Sequence, residues 1–297
     1  MVVITDIMGK TGSKLAMNLI QRGVAVRGID GSRQHMAYLI SEGVEAAIGN
    51  IEDAVFMTSA LKDADALFLI LPLSLEMGDF RGKFNRTTAA VEKAVRDIPL
   101  RTIYLFSSMG ADESEEAGFL SALREVELKL DNLQFENVIT IRSGYYMDHF
   151  LNKLALLKSR NILGDCIDGD TPLYLVHNGD VAANVANMHV NNSFFGRSRV
   201  ELYGDLTTMR QAAKVIGQAI DEPELVYRLL SDKEMRNYYL EAGYSTYMAN
   251  TMVETSHAIN RGVISPSLID PQVPNCPTRF DEYARKVLLP LYKTGNI

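Results

Sequence analysis

The chain opens with an apolar strand, a glycine-containing turn and an amphipathic helix, and this unit restricts the fold more than any other feature. The strand is predicted over residues 2–5 and the turn over residues 6–12, and the helix carries Leu15, Leu19 and Ile20 on one face. A strand, turn and helix in this order form the unit that binds a diphosphate at a helix N-terminus. The sequence therefore predicts an α/β domain with a candidate nucleotide site at its start.

The turn departs from the usual dinucleotide-binding pattern at its first position. Gly9 and Gly12 stand three residues apart, with Thr11 between them, but Asp6 replaces the glycine that begins the G-x-x-G-x-x-G spacing. A carboxylate beside a diphosphate is repulsive unless a cation or a hydrogen-bond donor lies between them. Gly9 and Gly12 therefore have two interpretations: they bind a diphosphate, or only the turn and close helix packing require them.

Two residues after the second predicted strand bear on the choice of dinucleotide. Asp30 lies 21 residues after Gly9, close to the roughly 20 residues expected for an acid that binds the adenosine ribose. Such an acid favours NAD over NADP, because it repels a 2′-phosphate. Arg33 leaves binding of NADP possible. Asp30 is equally well explained as a turn residue before Gly31.

Strand and helix patterns alternate as far as residue 142. Further strands are predicted at 24–29, 44–48, 66–72, 101–106 and 138–142, with helices at 34–42, 55–62, 85–97 and 118–132. This series predicts a doubly wound parallel sheet over residues 1–150, whose ligands bind beyond the carboxyl ends of the strands.

The alternation stops after about residue 144, which predicts a smaller α+β substrate-binding part over residues 151–297. It contains a predicted strand at 200–204, a helix starting near Val181 with Asp180 as its N-cap, and a helix at 208–221. A tyrosine- and methionine-rich helical stretch at 238–252 suits core packing, a pocket wall or the interface of a homodimer.

Composition narrows the classes of function. A formal charge of −7 without a cluster of Lys and Arg argues against direct nucleic-acid binding and against an anionic membrane surface. Cys166 and Cys276 lack metal-ligand spacing and suggest no disulfide framework. With neither a signal-peptide pattern nor an apolar run of membrane-spanning length, we expect a cytoplasmic protein that binds a small-molecule substrate or metabolite.

Five segments, in this order along the chain, resemble the NmrA-like family, atypical members of the short-chain dehydrogenase/reductase superfamily. They are the opening turn and residues 65–72, 105–111, 141–150 and 277–284. The third contains Ser107 and Ser108 of the family's S-S-x-G-A segment. The fourth is similar to its L-R-P-G-x-F-M-x-N-F motif, with Ser143 in place of proline. This resemblance covers nearly the whole chain and implies a Rossmann-type sheet intertwined with the smaller part.

The same resemblance shows what this chain lacks. Short-chain dehydrogenases use a tyrosine as proton donor and a lysine four residues later, which lowers the pKa of the tyrosine. Phe119 and Leu123 stand at these positions. Neither can transfer a proton, so the standard mechanism of carbonyl reduction is excluded there.

The resemblance also implies which residues face the ligands. Pro72, with Leu73 and Ser74, would flank the riboses of a dinucleotide. Ser107 and Ser108 would hydrogen-bond the cofactor or a substrate oxygen, although a serine pair at a strand end is also common in turns.

Tyr145, Tyr146 and His149 lie in the segment that faces the substrate cleft in the family. His149 titrates near neutral pH and suits acid/base work, unless it is structural. Asp148 would orient His149 or cap a helix. The five histidines of the chain show no metal-ligand spacing, and no serine lies in a G-x-S-x-G turn, so we expect neither a metal site nor a serine nucleophile.

Three functions agree with these patterns. The first is an NAD(P)H-dependent reductase that transfers hydride to an activated imine, iminium or quinone acceptor without the tyrosine and lysine. The second is a cofactor-independent isomerase or cyclase that uses His149, Tyr145 or Tyr146. The third is a non-catalytic sensor of dinucleotides or metabolites.

Overall fold

The computed structural model describes residues 1–96, 98–112 and 117–294. Its strands are β1 (Val2–Ile4), β2 (Val26–Asp30), β3 (Glu45–Ile48), β4 (Ala66–Leu69), β5 (Thr102–Ser108), β6 (Asn137–Ser143), β7 (Tyr145–Tyr146), β8 (Ile162–Asp165), β9 (Leu173–Val176), β10 (Arg197–Leu202), β11 (Asp205–Thr207) and β12 (Val226–Leu229).

The helices alternate with the strands in the first half and follow one another in the second. They are α1 (Lys10–Ile20), α2 (Ala37–Ser41), α3 (Ala54–Ala60), α4 (Phe80–Ala94), α5 (Phe119–Asp131), α6 (Leu154–Arg160), α7 (Asn178–Val190), α8 (Met209–Ala219), α9 (Asp232–Glu241), α10 (Thr246–Asn260), α11 (Phe280–Tyr283) and α12 (Leu289–Thr294). A 3₁₀ helix spans Met147–Lys153, and a π-helical turn spans Ala284–Leu288.

The main sheet is parallel, with the strand order β10-β6-β5-β4-β1-β2-β3. Helices cover both faces, so the predicted doubly wound Rossmann-type fold is confirmed. The order reverses between β1 and β4, and the crevice beyond their carboxyl ends is where ligands bind in such sheets. Each residue of β4 is buried, as its continuous apolar sequence predicts for a central strand.

The second half of the chain completes the main sheet and builds the smaller part. β10 pairs in parallel with β6, with Val200 opposite Ile141. Two small sheets, β11-β9-β7 and β12-β8, lie outside the main sheet. The two parts are thus intertwined, and the predicted boundary at residue 150 stays a prediction.

The starts of α7 and α4 differ from their predicted positions because of hydrogen bonds made by aspartate side chains. α7 begins at Asn178 with His177 as its N-cap residue, because the carboxylate of Asp180 instead accepts hydrogen bonds from the backbone and side chain of Thr278. α4 begins earlier than predicted, because Asp79 Oδ1 accepts a hydrogen bond from the Gly82 N–H at 2.7 Å. Its predicted end, Asp97, lies outside the described residues.

The tyrosine- and methionine-rich stretch forms parts of two helices. α9 begins with a capping box between Ser231 and Glu234. The N-cap residue of α10 is Ser245, whose hydroxyl accepts a hydrogen bond from the Met248 N–H. Tyr239 and Met248 pack into the core. Within the described ranges, no helix is both long enough and apolar enough to cross a membrane.

Candidate cofactor and substrate site

The turn after β1 is shaped by Asp6. Its φ of +46° lies in the left-handed region, where glycine is most favourable and Asp is among the better-tolerated substitutes. The Gly9 N–H donates to the Asp6 carbonyl at 2.9 Å. A Cβ on Gly9 would lie 2.2 Å from Asp6 Oδ2, and a Cβ on Gly12 would lie 2.3 Å from the Asp6 carbonyl oxygen. Both glycines are therefore needed for packing, and the Asp6 carboxyl fills the space beside Gly9.

The N-terminus of α1 offers donors for an anion. Gly9 caps the helix without a side-chain hydrogen bond, and the first turn contains no acid. Within the described part of the chain, the backbone N–H groups of Lys10, Thr11 and Gly12 have no hydrogen-bond acceptor. Free N–H groups and the helix dipole together favour a phosphate at this position.

Asp6 is unusual in its acidity as well as its backbone conformation. Burial, followed by repulsion from Asp30, raises the pKa of Asp6 to about 6, and Lys83 opposes this shift. Asp30 ends β2, accepts a hydrogen bond from the Ser32 N–H at 2.8 Å and lies 3.6 Å from His35 Nδ1. Near neutral pH, Asp6 therefore changes between a neutral donor and a charged acceptor.

The residues around this turn fit a dinucleotide under one condition. The N–H groups of α1 suit a diphosphate, and Asp30 lies at the end of β2 where an acid binds ribose. Asn178 donates to Thr11 Oγ1 at 2.9 Å, while its buried Oδ1 has no partner among the described residues and suits a ligand donor. Asp6 fits when protonated and repels a diphosphate when ionised. Arg33 is exposed, and Pro72 is half-buried after β4.

A cavity of about 300 Å³ lies beyond the carboxyl ends of β4, β5 and β6. Thr11 of α1 forms part of its wall, so the cavity begins at the candidate diphosphate site. The lining is mostly apolar and includes Ile70, Leu71, Leu73, Phe106, Phe119, Leu120, Leu123, Tyr239, Tyr244, Met252, Ile259 and Ile264. A concave apolar site with a few polar groups is typical of small-molecule binding.

Phe119 and Leu123 both line this cavity. They lie on α5 where the resemblance places the tyrosine and lysine of short-chain dehydrogenases. The two apolar side chains therefore face the cavity and make this part of its lining hydrophobic.

Three of the predicted site residues come together in the cavity lining. Tyr145, Tyr146 and His149 line the cavity, and the His149 ring lies 4.7 Å from the Tyr145 ring and 6.2 Å from the Tyr146 ring. His149 is accessible from the cavity, but surrounding protein, followed by the charge on Lys153, lowers its pKa to about 4. His149 is therefore neutral near pH 7, where it can accept a hydrogen bond but is a weaker base than an ordinary histidine.

The two tyrosines differ in their partners. The Tyr146 hydroxyl donates to Ser143 Oγ at 3.1 Å, and burial raises its pKa. The Tyr145 hydroxyl has no hydrogen-bond partner among residues that the structure describes, and burial, then Asp165, raises its pKa well above the ordinary value. Asp148 does not orient His149, because its oxygens bind the Tyr283 hydroxyl at 2.9 Å and Lys10 at 3.0 Å.

Ser107 lines the cavity but is held by a buried charged cluster. Its hydroxyl donates to Glu127 Oε1 at 2.5 Å. Glu127 also pairs with Arg142 through two hydrogen bonds, of 3.2 and 2.7 Å, and Arg142 reaches Asp112 at 2.8 Å. Because the Ser107 hydroxyl donates its one hydrogen bond to Glu127, Ser107 can accept a hydrogen bond from a ligand but cannot donate one. Ser108 donates to the Met109 carbonyl.

A buried ion pair in the cavity wall was missed from the sequence. Lys153 Nζ lies 2.5 Å from Asp165 Oδ2, and both side chains are nearly inaccessible to solvent. Lys153 belongs to an apolar stripe, three residues after Phe150 and four before Leu157. A charge in such a stripe is the signal that would have revealed it, but its partner at residue 165 has no comparable signal.

The described residues contain no group of three or more His, Cys, Asp or Glu side chains arranged to hold a metal ion. Cys166 and Cys276 are both buried and free, and burial raises the pKa of each thiol.

Comparisons with known proteins agree with this geometry. The model of an NAD(P)H-binding family matches residues 8–139, which include Gly9 and Gly12 and extend through β2, β3, β4 and β5 to the middle of β6. No curated protein matches the chain at an accepted level of significance.

Several solved structures share the fold over nearly their whole length. An NADPH-dependent quinone oxidoreductase from Escherichia coli, complexed with NADPH, has a TM-score of 0.81 at 20% identity, covering 97% of this chain and 100% of that one. A nucleoside-diphosphate-sugar epimerase from Staphylococcus aureus gives 0.81 at 17% identity, with 96% and 99% covered. A triphenylmethane reductase from Citrobacter sp. gives 0.80 at 17%, with 97% and 99% covered. At these identities the likeness shows the fold alone.

Proposed function

We propose that this chain is an NAD(P)H-dependent reductase of the NmrA-like type, which transfers hydride to an activated small-molecule acceptor such as a quinone, imine or iminium. One observation carries the proposal: a single apolar cavity extends from the N-terminus of α1 across the carboxyl ends of β4, β5 and β6. A cofactor bound at the helix and an acceptor in the cavity would therefore be neighbours. The match to an NAD(P)H-binding family over residues 8–139 supports the first half of this arrangement.

The chain supplies binding groups at both ends of the site. The N–H groups of Lys10, Thr11 and Gly12 would hold the diphosphate, and Asp30 would accept hydrogen bonds from the adenosine ribose. Pro72, three residues after β4, would lie beside the remainder of the dinucleotide. The bound cofactor would supply hydride.

The cavity walls exclude water and orient the acceptor. Phe119 and Leu123 offer apolar surface where related enzymes carry a proton donor, so the acceptor must be electrophilic without protonation. A conjugated acceptor meets this requirement because its own π-system spreads the incoming charge. His149 is neutral near pH 7 and can form a hydrogen bond without adding charge to the cavity.

A cofactor-independent isomerase or cyclase is the second candidate, and the position of Asp6 favours it. Above pH 6 its carboxylate would oppose a diphosphate beside Gly9. In that case neutral His149 would act as the base, with Tyr145 and Tyr146 as hydrogen-bond donors to the substrate.

Calorimetric titration with NAD⁺, NADH, NADP⁺ and NADPH separates these candidates. Micromolar binding of a reduced form, followed by loss of its absorbance when quinone or imine acceptors are added, is the result we expect. If none of the four binds at pH 5.5 or at pH 7.5, the reductase proposal is wrong and the cofactor-independent reaction should be tested.

Two variants refine the same titration. Asp30→Asn removes the charge at the end of β2 and should improve binding of NADPH relative to NADH if Asp30 contacts the ribose. Arg33→Gln is the complementary variant on the exposed loop, and it should weaken only NADPH binding if Arg33 binds a 2′-phosphate.

A further inference from the structure

The cavity has one strongly polar end, formed by Lys153, Asp165 and Tyr145. The 3₁₀ helix Met147–Lys153 brings Lys153 to the wall, and Asp165 ends β8. The Lys153 and Tyr145 side chains both line the same cavity, and Tyr145 interacts electrostatically with both charges of the pair.

The acceptor atoms of this group are already used. Asp165 Oδ1 accepts from the Cys166 N–H at 2.7 Å and from the Ile167 N–H at 3.3 Å, while Oδ2 binds Lys153 at 2.5 Å. Three donors therefore satisfy this carboxylate, which is what a buried charge requires. A cationic ligand would find little free negative charge here.

The donor atoms are not used to the same extent. An ammonium has three N–H groups, and Lys153 directs one to Asp165 and lies 5.5 Å above the Tyr239 ring. Among residues 1–96, 98–112 and 117–294, Lys153 has no hydrogen-bond acceptor other than Asp165, and the Tyr145 hydroxyl has none. Tyr145 is partly exposed and lines the cavity, so a ligand or a water molecule there can supply an acceptor for its hydroxyl.

We propose that Tyr145 and Lys153 form a donor pair that binds an oxygen atom of the acceptor, and that this pair selects conjugated carbonyl compounds of the quinone class over cationic iminium compounds. The ring of the acceptor would lie against the apolar wall that contains Phe119 and Leu123, with its carbonyl oxygen at the polar end. That this oxygen belongs to a hydride acceptor rests on the proposed reductase function, whereas the donor pair itself does not.

The test measures binding without turnover, by equilibrium dialysis in the absence of dinucleotide. The ligands are 2,3-dimethyl-1,4-naphthoquinone, whose methyl groups hinder addition of thiols, and 2,3-dimethylnaphthalene, which has a similar shape without oxygen. Tyr145→Phe should weaken binding of the quinone roughly tenfold and leave binding of the hydrocarbon within about twofold, because only one hydrogen bond is lost.

Lys153→Met alone would leave the Asp165 carboxylate buried without its cation, which endangers folding. The double variant Lys153→Met/Asp165→Asn avoids this, and Lys158→Met is the matched control because Lys158 is exposed. The double variant should weaken the quinone roughly tenfold or more and the control should not change it. Circular dichroism verifies the fold of each variant.

Equal losses for quinone and hydrocarbon, or no loss for either variant, would overturn the donor pair. Tighter binding of a triphenylmethane dye cation than of the quinone would overturn the proposed selectivity. Calorimetry with the dinucleotides is a separate measurement: if they fail to bind while the quinone discrimination persists, the reductase function is refuted and the donor pair stands as a ligand site.

Discussion

Protonation of Asp6 should control dinucleotide affinity, and Asp6→Asn tests this directly. The substitution removes the negative charge beside Gly9 and keeps a side chain that tolerates the positive φ at this position. The wild-type protein should bind NADH more tightly at low pH, and the variant should bind it with little dependence on pH. NADH is the suitable ligand because it lacks the titratable 2′-phosphate of NADPH.

The size of the effect follows from the pKa of Asp6, which is about 6 in the folded protein. At that pKa, about 90% of Asp6 is protonated at pH 5 and about 1% at pH 8. If only the protonated form accepts the diphosphate, the dissociation constant rises roughly ninety-fold between these pH values. Lys83, which lowers the pKa of Asp6, limits the effect if it shields the ligand.

The same shift predicts that stability, like NADH affinity, falls as pH rises. Asp6 releases its proton near 3.8 when unfolded and near 6 when folded. The folded state therefore loses stability as pH rises through this interval, by at most about 3 kcal/mol. Asp6→Asn should raise the free energy of unfolding at pH 8 and have little effect at pH 3.5.

Calorimetric titration from pH 5 to pH 8 measures the first effect, and urea denaturation from pH 3.5 to pH 8 measures the second. Asp63→Asn is a matched control, because Asp63 also has a positive φ, of 63°, but is exposed in the turn before β4. His35→Gln tests the histidine that lies 3.6 Å from Asp30. A ninety-fold change that persists in Asp6→Asn would refute the reasoning, as would wild-type affinity that is flat from pH 5 to pH 8.

Two further predictions concern packing near the site. Gly9→Ala should destabilise the protein by about 1–3 kcal/mol, and adding Asp6→Gly should largely restore stability, because the closest clash involves the Asp6 side chain. Adding Asp6→Gly to Gly12→Ala should not restore stability, because the new Cβ meets the Asp6 backbone. Thermal denaturation of the two double variants tests both statements. Glu127→Gln should cost about 3 kcal/mol, because it leaves Arg142 buried with a weaker partner, and a loss below about 1 kcal/mol in urea denaturation would contradict this.

Much of the fold was predictable because its signals are local in sequence. β1, α1 and the apolar strand β4 have the periodicity and turn residues of their elements, and each was placed to within a few residues. The start of α7 was misplaced because the Asp180 carboxylate binds Thr278, a residue 98 positions away. No local rule describes a contact of that range.

The candidate site was predictable only in part for the same reason. Tyr145, Tyr146 and His149 follow a strand whose carboxyl end must face the crevice, so their position beside the cavity was predicted. Two other features depend on pairs of residues that only folding brings together. They are the ion pair of Lys153 with Asp165 and the hydrogen bond that the Ser107 hydroxyl donates to Glu127.

The sequence by itself determined that strands and helices alternate in a doubly wound sheet, and that residues 119 and 123 are Phe and Leu, where the resemblance would place a tyrosine and a lysine. Only the tertiary structure decided the charge state of the site. Burial and the proximity of Asp30 make Asp6 a weak acid, and Asp165 keeps Lys153 charged in the cavity wall despite burial. Acidity depends on the surroundings of a group in space, and residues far apart in the chain supply those surroundings.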